Sequence, residues 1–472
     1  MPIESVDLAV VGAGPAGLSA AVTAAGHGLR VVVLDEQPGP GGQVWRNLEA
    51  RGGDRTGLDL VRQARSGAVE LRLGTTLVDI ALADDGATAT WMTAGGLGHM
   101  VARAVILATG AMERPMPFPG WTLPGVLGVG ALQTALKTGG MIPGPAVTGG
   151  GGLVIAGHGP LVLLYLAQVA AAGGTVSAVL DTGPPTRPMS SLARRLPMAL
   201  LGDPLTVGRG ALLLARRALS GVPVYRGVRA ISADGTEAVE AVRFTDANGE
   251  RTLPCALLGV HDGLIPNTQV ARLLRLEHAW RGDQRCFAPV ADDFGRSSRP
   301  GVWIAGDGAG IAGASAALVS GQLAALDVLR TLGSPPAQAF RDRAAVLLRR
   351  RARLDATRRL IDTLYPPRDP SDGLADDTVV CRCEEVTAGT IRQAIAAGAV
   401  GPNRTKTATR CGMGACQGRM CGPLLSQIVA RETGRPVPEV GALRVRPPLK
   451  PVPMAAFATL AAATDSRDPE EE

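Results

Sequence analysis

The chain opens on a short apolar run, DLAVV, that gives way at once to glycines, then to LSAAVTAAGHG and a second run, LRVVVLD. Continuous apolar runs of this length read as strands buried on both faces, and the small-residue stretch between them as a packing helix. Residues 7 to 35 therefore predict strand, glycine loop, helix, strand. A β-rich stretch follows and closes on VARAVILATG, ending at Gly110. The same order returns in LVIAGHGPLVLLYLAQVAAAGGTVSAVLD, and GVWIAGDGAGIAGASAALVSGQLAA sets a further strand ahead of a small-residue helix. The run from Leu153 to Leu180 is apolar enough to suggest a membrane span, but Gly157, Gly159, Pro160, Gln168, Gly173 and Gly174 punctuate it. It is expected to be a buried unit of the α/β class, leaving no transmembrane segment.

The first glycine loop is Gly12-Ala13-Gly14-Pro15-Ala16-Gly17. In a strand-loop-helix context Gly12 makes the tight turn, Gly14 lets backbone approach a pyrophosphate, and Gly17 lets helix pack on strand. Asp35, 21 residues after Gly14 at the end of the second strand, is placed to accept from ribose hydroxyls. In the second copy Gly157 and Gly159 match the first two glycines and Asp181 matches Asp35, while Val162 stands where the third glycine would be. That loop is open to NAD, with Asp181 favouring a free 2′-hydroxyl, to another adenine nucleotide, or to nothing.

With 472 residues, two or three domains are expected. The net charge of +6 comes from dispersed arginines with few aromatics, so no nucleic acid partner is expected. The densest basic cluster, Arg341 to Leu360, reads as an amphipathic helix, either solvated or docking an acidic partner. The first strand begins too early to leave room for a signal peptide, which points to the cytoplasm.

Five of seven cysteines fall in the last hundred residues: Cys381 and Cys383 as C-x-C, then Cys411, Cys416 and Cys421. Four thiolates on two short loops can hold a 2Fe-2S cluster, and a helix starting at Pro423 would offset its charge. Zinc is the alternative occupant, although C-x-C lacks the usual zinc spacing. Cys255 and Cys286 read as packed thiols. No cysteine precedes Cys255, so thiol-disulfide chemistry at a flavin is not expected. Among five histidines only His261 is expected near a flavin, and nothing forms a nucleophile-base pair.

The cysteine spacing resembles the bacterioferritin-associated-ferredoxin-like 2Fe-2S domain, which implies Cys381, Cys383, Cys416 and Cys421 as ligands with Cys411 as the alternative. Residues 5 to 335 resemble two-dinucleotide-binding-domain flavoproteins of the glutathione-reductase type. That resemblance implies FAD bound by Gly12, Gly14, Pro15, Ala16, Gly17, Asp35, Glu36, Gln43, Ala108, Thr109, Gly110, Gly306 and Asp307, with Gly157, Gly159 and Asp181 forming the second site. It divides the chain into an FAD domain (1–145 and 261–340), an inserted dinucleotide domain (146–260), a basic helical linker (341–375), a small helical 2Fe-2S domain (376–440) and a Pro-rich partner-binding tail (441–472).

The segments ATGAMERPMPFPGWTLPGVLGVGALQTALK, GVHDGLIPNTQVARLL and CGMGACQGRMC resemble the alpha (A) subunits of bacterial heteromeric flavin-dependent amine dehydrogenases, the hydrogen cyanide synthase, opine oxidase and D-hydroxyproline dehydrogenase group. The resemblance implies a D-amino-acid-oxidase-like partner subunit that oxidises the amine and a further small iron-sulfur subunit. It also implies FMN at the subunit interface and membrane association through the complex. A stand-alone NAD(P)H:acceptor reductase and a non-enzymatic iron-sulfur sensor are the competing readings.

Overall fold

The computed structural model describes residues 4–84, 86–144, 151–184, 189–333 and 337–457. Strand β1 (Glu4–Val11) leads into helix α1 (Pro15–Ala25) and returns through β2 (Val31–Leu34). β3 (Val69–Arg72), β4 (Thr76–Ala83), β5 (Gly86–Thr93) and β6 (Gly96–Leu107) complete the first stretch of chain. Together they form a sheet ordered β3-β2-β1-β6-β5-β4. β6 does two jobs: its first half pairs antiparallel with β5, and its last residues pair parallel with the distant strand Val302–Ile304. Parallel strands are buried on both faces, which is why β2 reads VVVL without a polar residue.

A second, all-parallel sheet carries β7 (Leu153–Gly157), followed by α2 (Pro160–Ala171) and β8 (Ala178–Asp181). A helical hairpin, α3 (Met189–Gly202) and α4 (Pro204–Leu219), then leads to β9 (Val224–Arg226). The sheet order is β9, β8, β7, Leu257–His261, Val126–Gly128. Val126–Gly128 therefore belongs to the second unit, so the expected division at residue 145 moves upstream. The crossing is a two-stranded ribbon in which Ala111–Glu113 pairs with Leu264–Pro266. The shift has a simple cause: the short strand before the helix Val129–Gly139 has no glycine motif to announce it.

Helix α5 (Ala314–Thr331) packs on α1 through small residues, and a β-carbon at Gly321 would collide with the Ala16 carbonyl. Helix α6 (Ala337–Leu364) carries the basic run and packs on α3 and α5, so it is an integral layer rather than a linker. The cysteine-rich domain is helical: Ala388–Ala396, Pro402–Thr409 and α7 (Gly422–Thr433) surround a core of Val380, Ile391, Leu425 and Ile428. The side chain of Thr387 caps the first of these helices at Thr390 N. Among the described residues no helix is long and apolar enough to cross a membrane.

Candidate functional site

The first glycine loop is set by clashes that only glycine avoids. Gly12 lies at φ +107°, and a side chain there or at Gly17 would strike the Ala108 or Gly12 carbonyl. Gly14 is the N-cap of α1 with no side-chain cap, so the first-turn amides face an approach bounded by Gly42. Such a helix start attracts a phosphate group. Asp35 does something sequence reasoning missed: its carboxylate accepts from Ala13 N at 2.6 Å and Gln37 N at 2.8 Å, which fastens the loop to the end of β2. Glu36 is ion-paired with Lys450 from the C-terminal segment.

Thr109 and Gly110 sit where β6 ends, tied to the ribbon by Thr109 Oγ1 donating to Asn267 O at 2.8 Å and Asn267 N donating to Gly110 O at 2.9 Å. Asp307 Oδ1 accepts from Ala312 N at 2.8 Å and Gly313 N at 2.9 Å, a cap on the turn before α5. Gln43 lies on an exposed loop whose carbonyl accepts from Lys137 Nζ at 3.1 Å. Burial, with Arg51 and Arg46 nearby, pushes the Lys137 amine down to about 8.

The second loop is arranged differently. His158 stands where Ala13 stands in the first and is only 6% exposed. Its Nε2–H donates to Pro366 O at 3.0 Å, which leaves Nδ1 to accept from Thr182 Oγ1 at 3.2 Å. Burial holds this imidazole below its ordinary pKa and therefore neutral. Asp181 accepts from Gly183 N at 3.0 Å and pairs with Arg217 at 3.6 Å. Val162 is buried in the unit's core, filling the place that a third glycine would leave open.

His261, at the end of a second-sheet strand, donates to Glu113 at 2.7 Å. Beside it, buried Arg114 donates to the carbonyls of Asp262, Gln284 and Arg285. These residues meet only because the ribbon folds residue 113 onto residue 264, a pairing with no local signal.

In the cysteine-rich domain the sulfurs of Cys381, Cys411 and Cys421 lie within 4.8 Å of one another, all buried. The thiols of Cys411 and Cys421 donate to Cys381, with Gly412 N also at 3.5 Å, and drive the Cys381 pKa down to about 2. Cys383 is exposed and adjoins Cys416, whose backbone N–H and thiol both approach it. Five soft donors are thus gathered on two loops. Such a donor set fits a thiophilic metal or an iron-sulfur cluster.

This domain is seated on both units. Trp121 Nε1, from the core of the second unit, donates to Val379 O at 2.7 Å, and Arg285 of the flavin-type half donates to Gln427 Oε1 at 3.0 Å. Between this domain and the flavin-type half lies an open cleft lined by Arg272, Arg285, Arg419, Trp280 and Phe287, with no carboxylate among its lining residues. The tail, expected to lie on a partner, instead binds the chain itself through its first half. Leu449 N donates to Val78 O at 2.6 Å, and Pro448 O accepts from Gln417 at 2.8 Å. Apolar Leu443 and Leu449 bury against the two halves, so this stretch gains more from its own chain than from solvent. Residues 458–472 lie outside the described residues.

Residues 6–155 match the model of the pyridine nucleotide-disulphide oxidoreductase family, and residues 376–463 that of the sarcosine oxidase A3 domain. The chain is similar to the A subunit of opine oxidase from Agrobacterium tumefaciens (strain Ach5), 42% identical over 96% of this chain and 92% of that one. It is 35% identical to hydrogen cyanide synthase subunit HcnB of Pseudomonas aeruginosa, over 96% of this chain and 98% of that one. Among solved structures, L-proline dehydrogenase from P. horikoshii shares the fold with a TM-score of 0.69 at 20% identity, covering 97% of this chain and 80% of that one.

Proposed function

Since the chain belongs to the family of A subunits of heteromeric flavin-dependent amine dehydrogenases, with those of opine oxidase and with hydrogen cyanide synthase subunit HcnB, we propose that it is the electron-collecting subunit of such a complex. It is part of an oxidoreductase that acts, with partner subunits, on carbon-nitrogen donors, and it binds flavin. The stand-alone reductase reading is not favoured, because these relatives are named subunits of multi-chain enzymes. The observation that carries the reading is the seating of the five-thiol domain on the flavin-type half, where Arg285 donates to Gln427 and Met112, Ile265 and Pro266 of the ribbon share a cleft with Gly418 and Gly422.

A bound flavin accepts electrons in pairs and releases them singly, and a 2Fe-2S cluster carries one at a time. For the flavin, FAD, the 12–17 loop and the free amides of α1 would hold the pyrophosphate, with Ala108–Gly110, Gly306 and Asp307 flanking the remainder. For the cluster, Cys383 and Cys416 would supply one pair of thiolates and Cys381 and Cys421 the other, with Cys411 as the alternative ligand. Removing Cys416 would strip Cys383 of its neighbour, whereas removing Cys411 still leaves two buried thiols. The arginine-lined cleft with its aromatic walls suits a phosphate-bearing ring compound such as FMN. The second loop, with His158 and Asp181 engaged, is a weaker candidate for NAD or another adenine nucleotide. The partner would be a D-amino-acid-oxidase-like subunit that oxidises an imino acid, opine or glycine, joined by a small iron-sulfur subunit. The setting would be the cytoplasm, with any membrane association made by the complex.

The test is the purified protein's content of flavin, iron and acid-labile sulfide, with about two irons per chain expected. Cys383→Ser, Cys421→Ser and Cys416→Ala should each lose the cluster absorbance and keep the flavin, while Cys411→Ala keeps both. Stoichiometric zinc without labile sulfide would sink the cluster assignment. Dye reduction driven by an amine should appear only after coexpression with the partner, and activity of the chain alone would refute the subunit reading.

A further inference from the structure

One polar pair at the ribbon has no part in the flavin or thiol chemistry: Glu113 and His261. Glycines clear the space it occupies. A β-carbon at Gly128 would collide with the Glu113 carboxylate, and one at Gly130 would come within 2.9 Å of it. On the far side, a β-carbon at Gly157 would collide with the His261 carbonyl. His261 is only 3% exposed, and its Nδ1–H donates to Glu113 Oε1 at 2.7 Å. That bond fixes the ring and leaves Nε2 with no partner among the described residues.

The free nitrogen lies at the second glycine loop. A β-carbon built on Gly159 would have the His261 ring as its nearest neighbour outside the loop, Cδ2 at 3.9 Å and Nε2 at 4.0 Å. Gly159 is the N-cap of α2 and brings no side-chain cap, so the first-turn amides of that helix are unclaimed. His261 pairs in register with Gly157 at the end of β7. The chain leaves β7 toward β8, whereas Leu257–His261 lies on the other side of β7. A crevice between strands that diverge in this way is where α/β sheets hold ligands. His158, the other imidazole of the loop, has both nitrogens engaged within the chain.

We propose that His261 and the start of α2 form a site for a single phosphate group, carried by a nucleotide or free, with Glu113 positioning the ring. The inference rests on the reading of the second loop as a candidate nucleotide site, and it supplies the side chain which that reading lacks. Uncapped amides favour an anion. Because Glu113 accepts from Nδ1–H, a proton added at Nε2 gives an imidazolium held between the Glu113 carboxylate and the phosphate. Solvent supplies that proton, so binding takes one up. The remaining charges around the ring have cations beside them: Asp262 lies 3.8 Å from Arg114, and Asp181, across the loop, 3.6 Å from Arg217. His158 adds no charge, since burial keeps it neutral. A bolt between the ribbon and the second unit would need Nδ1 alone.

The experiment is calorimetric titration of the flavin-loaded protein, with whatever subunits accompany it, by ADP, NAD and inorganic phosphate in turn. At about pH 8 a free imidazole is mostly neutral, so the ligand that binds should bring about half to one proton onto the protein. Paired titrations in buffers of different ionisation enthalpy read that uptake. His261→Gln, whose amide can still donate to Glu113, should lose about tenfold in affinity and the whole of the uptake. Glu113→Gln should lose several-fold in affinity and most of the uptake, with flavin content unchanged in both variants. A pair that only braces the fold would lower the melting temperature of both variants and leave affinity and uptake as in the parent. That result, or binding to the parent without uptake, overturns the role of His261 and leaves the nucleotide reading of the loop standing. If none of the three ligands binds the parent, the inference and that reading fall together.

Discussion

The two dinucleotide units place the same elements around their loops and reach opposite outcomes. In the first, the strand-end carboxylate of Asp35 turns back to hold the loop amide of Ala13, and the helix start is left facing open space. In the second, the position of Ala13 is taken by His158, whose ring is clamped between Thr182 and a carbonyl from beyond α6. A glycine motif therefore specifies the turn. What fills the turn is decided by one side chain between the glycines and by whatever the rest of the chain packs over it.

The sharpest break is Gly17→Val against Val162→Gly. The first drives a side chain into the Gly12 carbonyl and should abolish flavin retention and most soluble protein, read as flavin absorbance per chain. The second removes a buried side chain and should cost roughly 2–4 kcal/mol in denaturant unfolding without creating a dinucleotide site. Next in size, His158→Ala should lose about 1–3 kcal/mol, because the Pro366 carbonyl and Thr182 hydroxyl are left without their partner. Flavin content should stay unchanged, so a variant that sheds flavin would contradict the separation of the two units.

Acid should act on the second loop and spare the first. His158 is held below its ordinary pKa, so the folded state binds fewer protons than the unfolded chain. Its contribution is complete above about pH 6.5 and is lost as pH falls from there. Melting temperature followed from about pH 7 to pH 5 should fall less steeply in His158→Gln than in the parent. His278, pushed down to about 4 by burial and Arg272, contributes the same downward slope in both proteins. The smallest effect is Lys450→Met. Its partner Glu36 is half exposed, so the loss should stay below about 1 kcal/mol in thermal unfolding.

Much of the flavin-type half was legible because its signals are local: the glycines, the buried runs and the small residues of α5 lie in continuous stretches. The cysteine domain was legible for a related reason, since Thr387 and Pro423 mark their helices in the sequence itself. The hidden features are those made by distance. His158 is separated by 208 residues from Pro366, which anchors it. The ribbon that moves the division from residue 145 to residue 111 joins strands with no motif. The hairpin of α3 and α4 escaped because Pro197 interrupts its period and its leucines carry no alternation that points to a core. Spacing alone likewise did not foretell that Cys411 joins Cys381 and Cys421 while Cys416 turns to Cys383.

The pairing of Leu449 with Val78 has a consequence for how the molecule is made. A ribosome delivers the chain from its amino end, so β1 to β6 emerge and must wait, first for Val302–Ile304 to reach the end of β6 and later for Leu449 to reach Val78. Until then part of the first sheet has an open margin, and Glu36 has no Lys450 beside it. Because strand pairing over such separations is slow, a nascent chain spends much of its elongation with that margin open. A segment made long after the first sheet is the one that closes its margin.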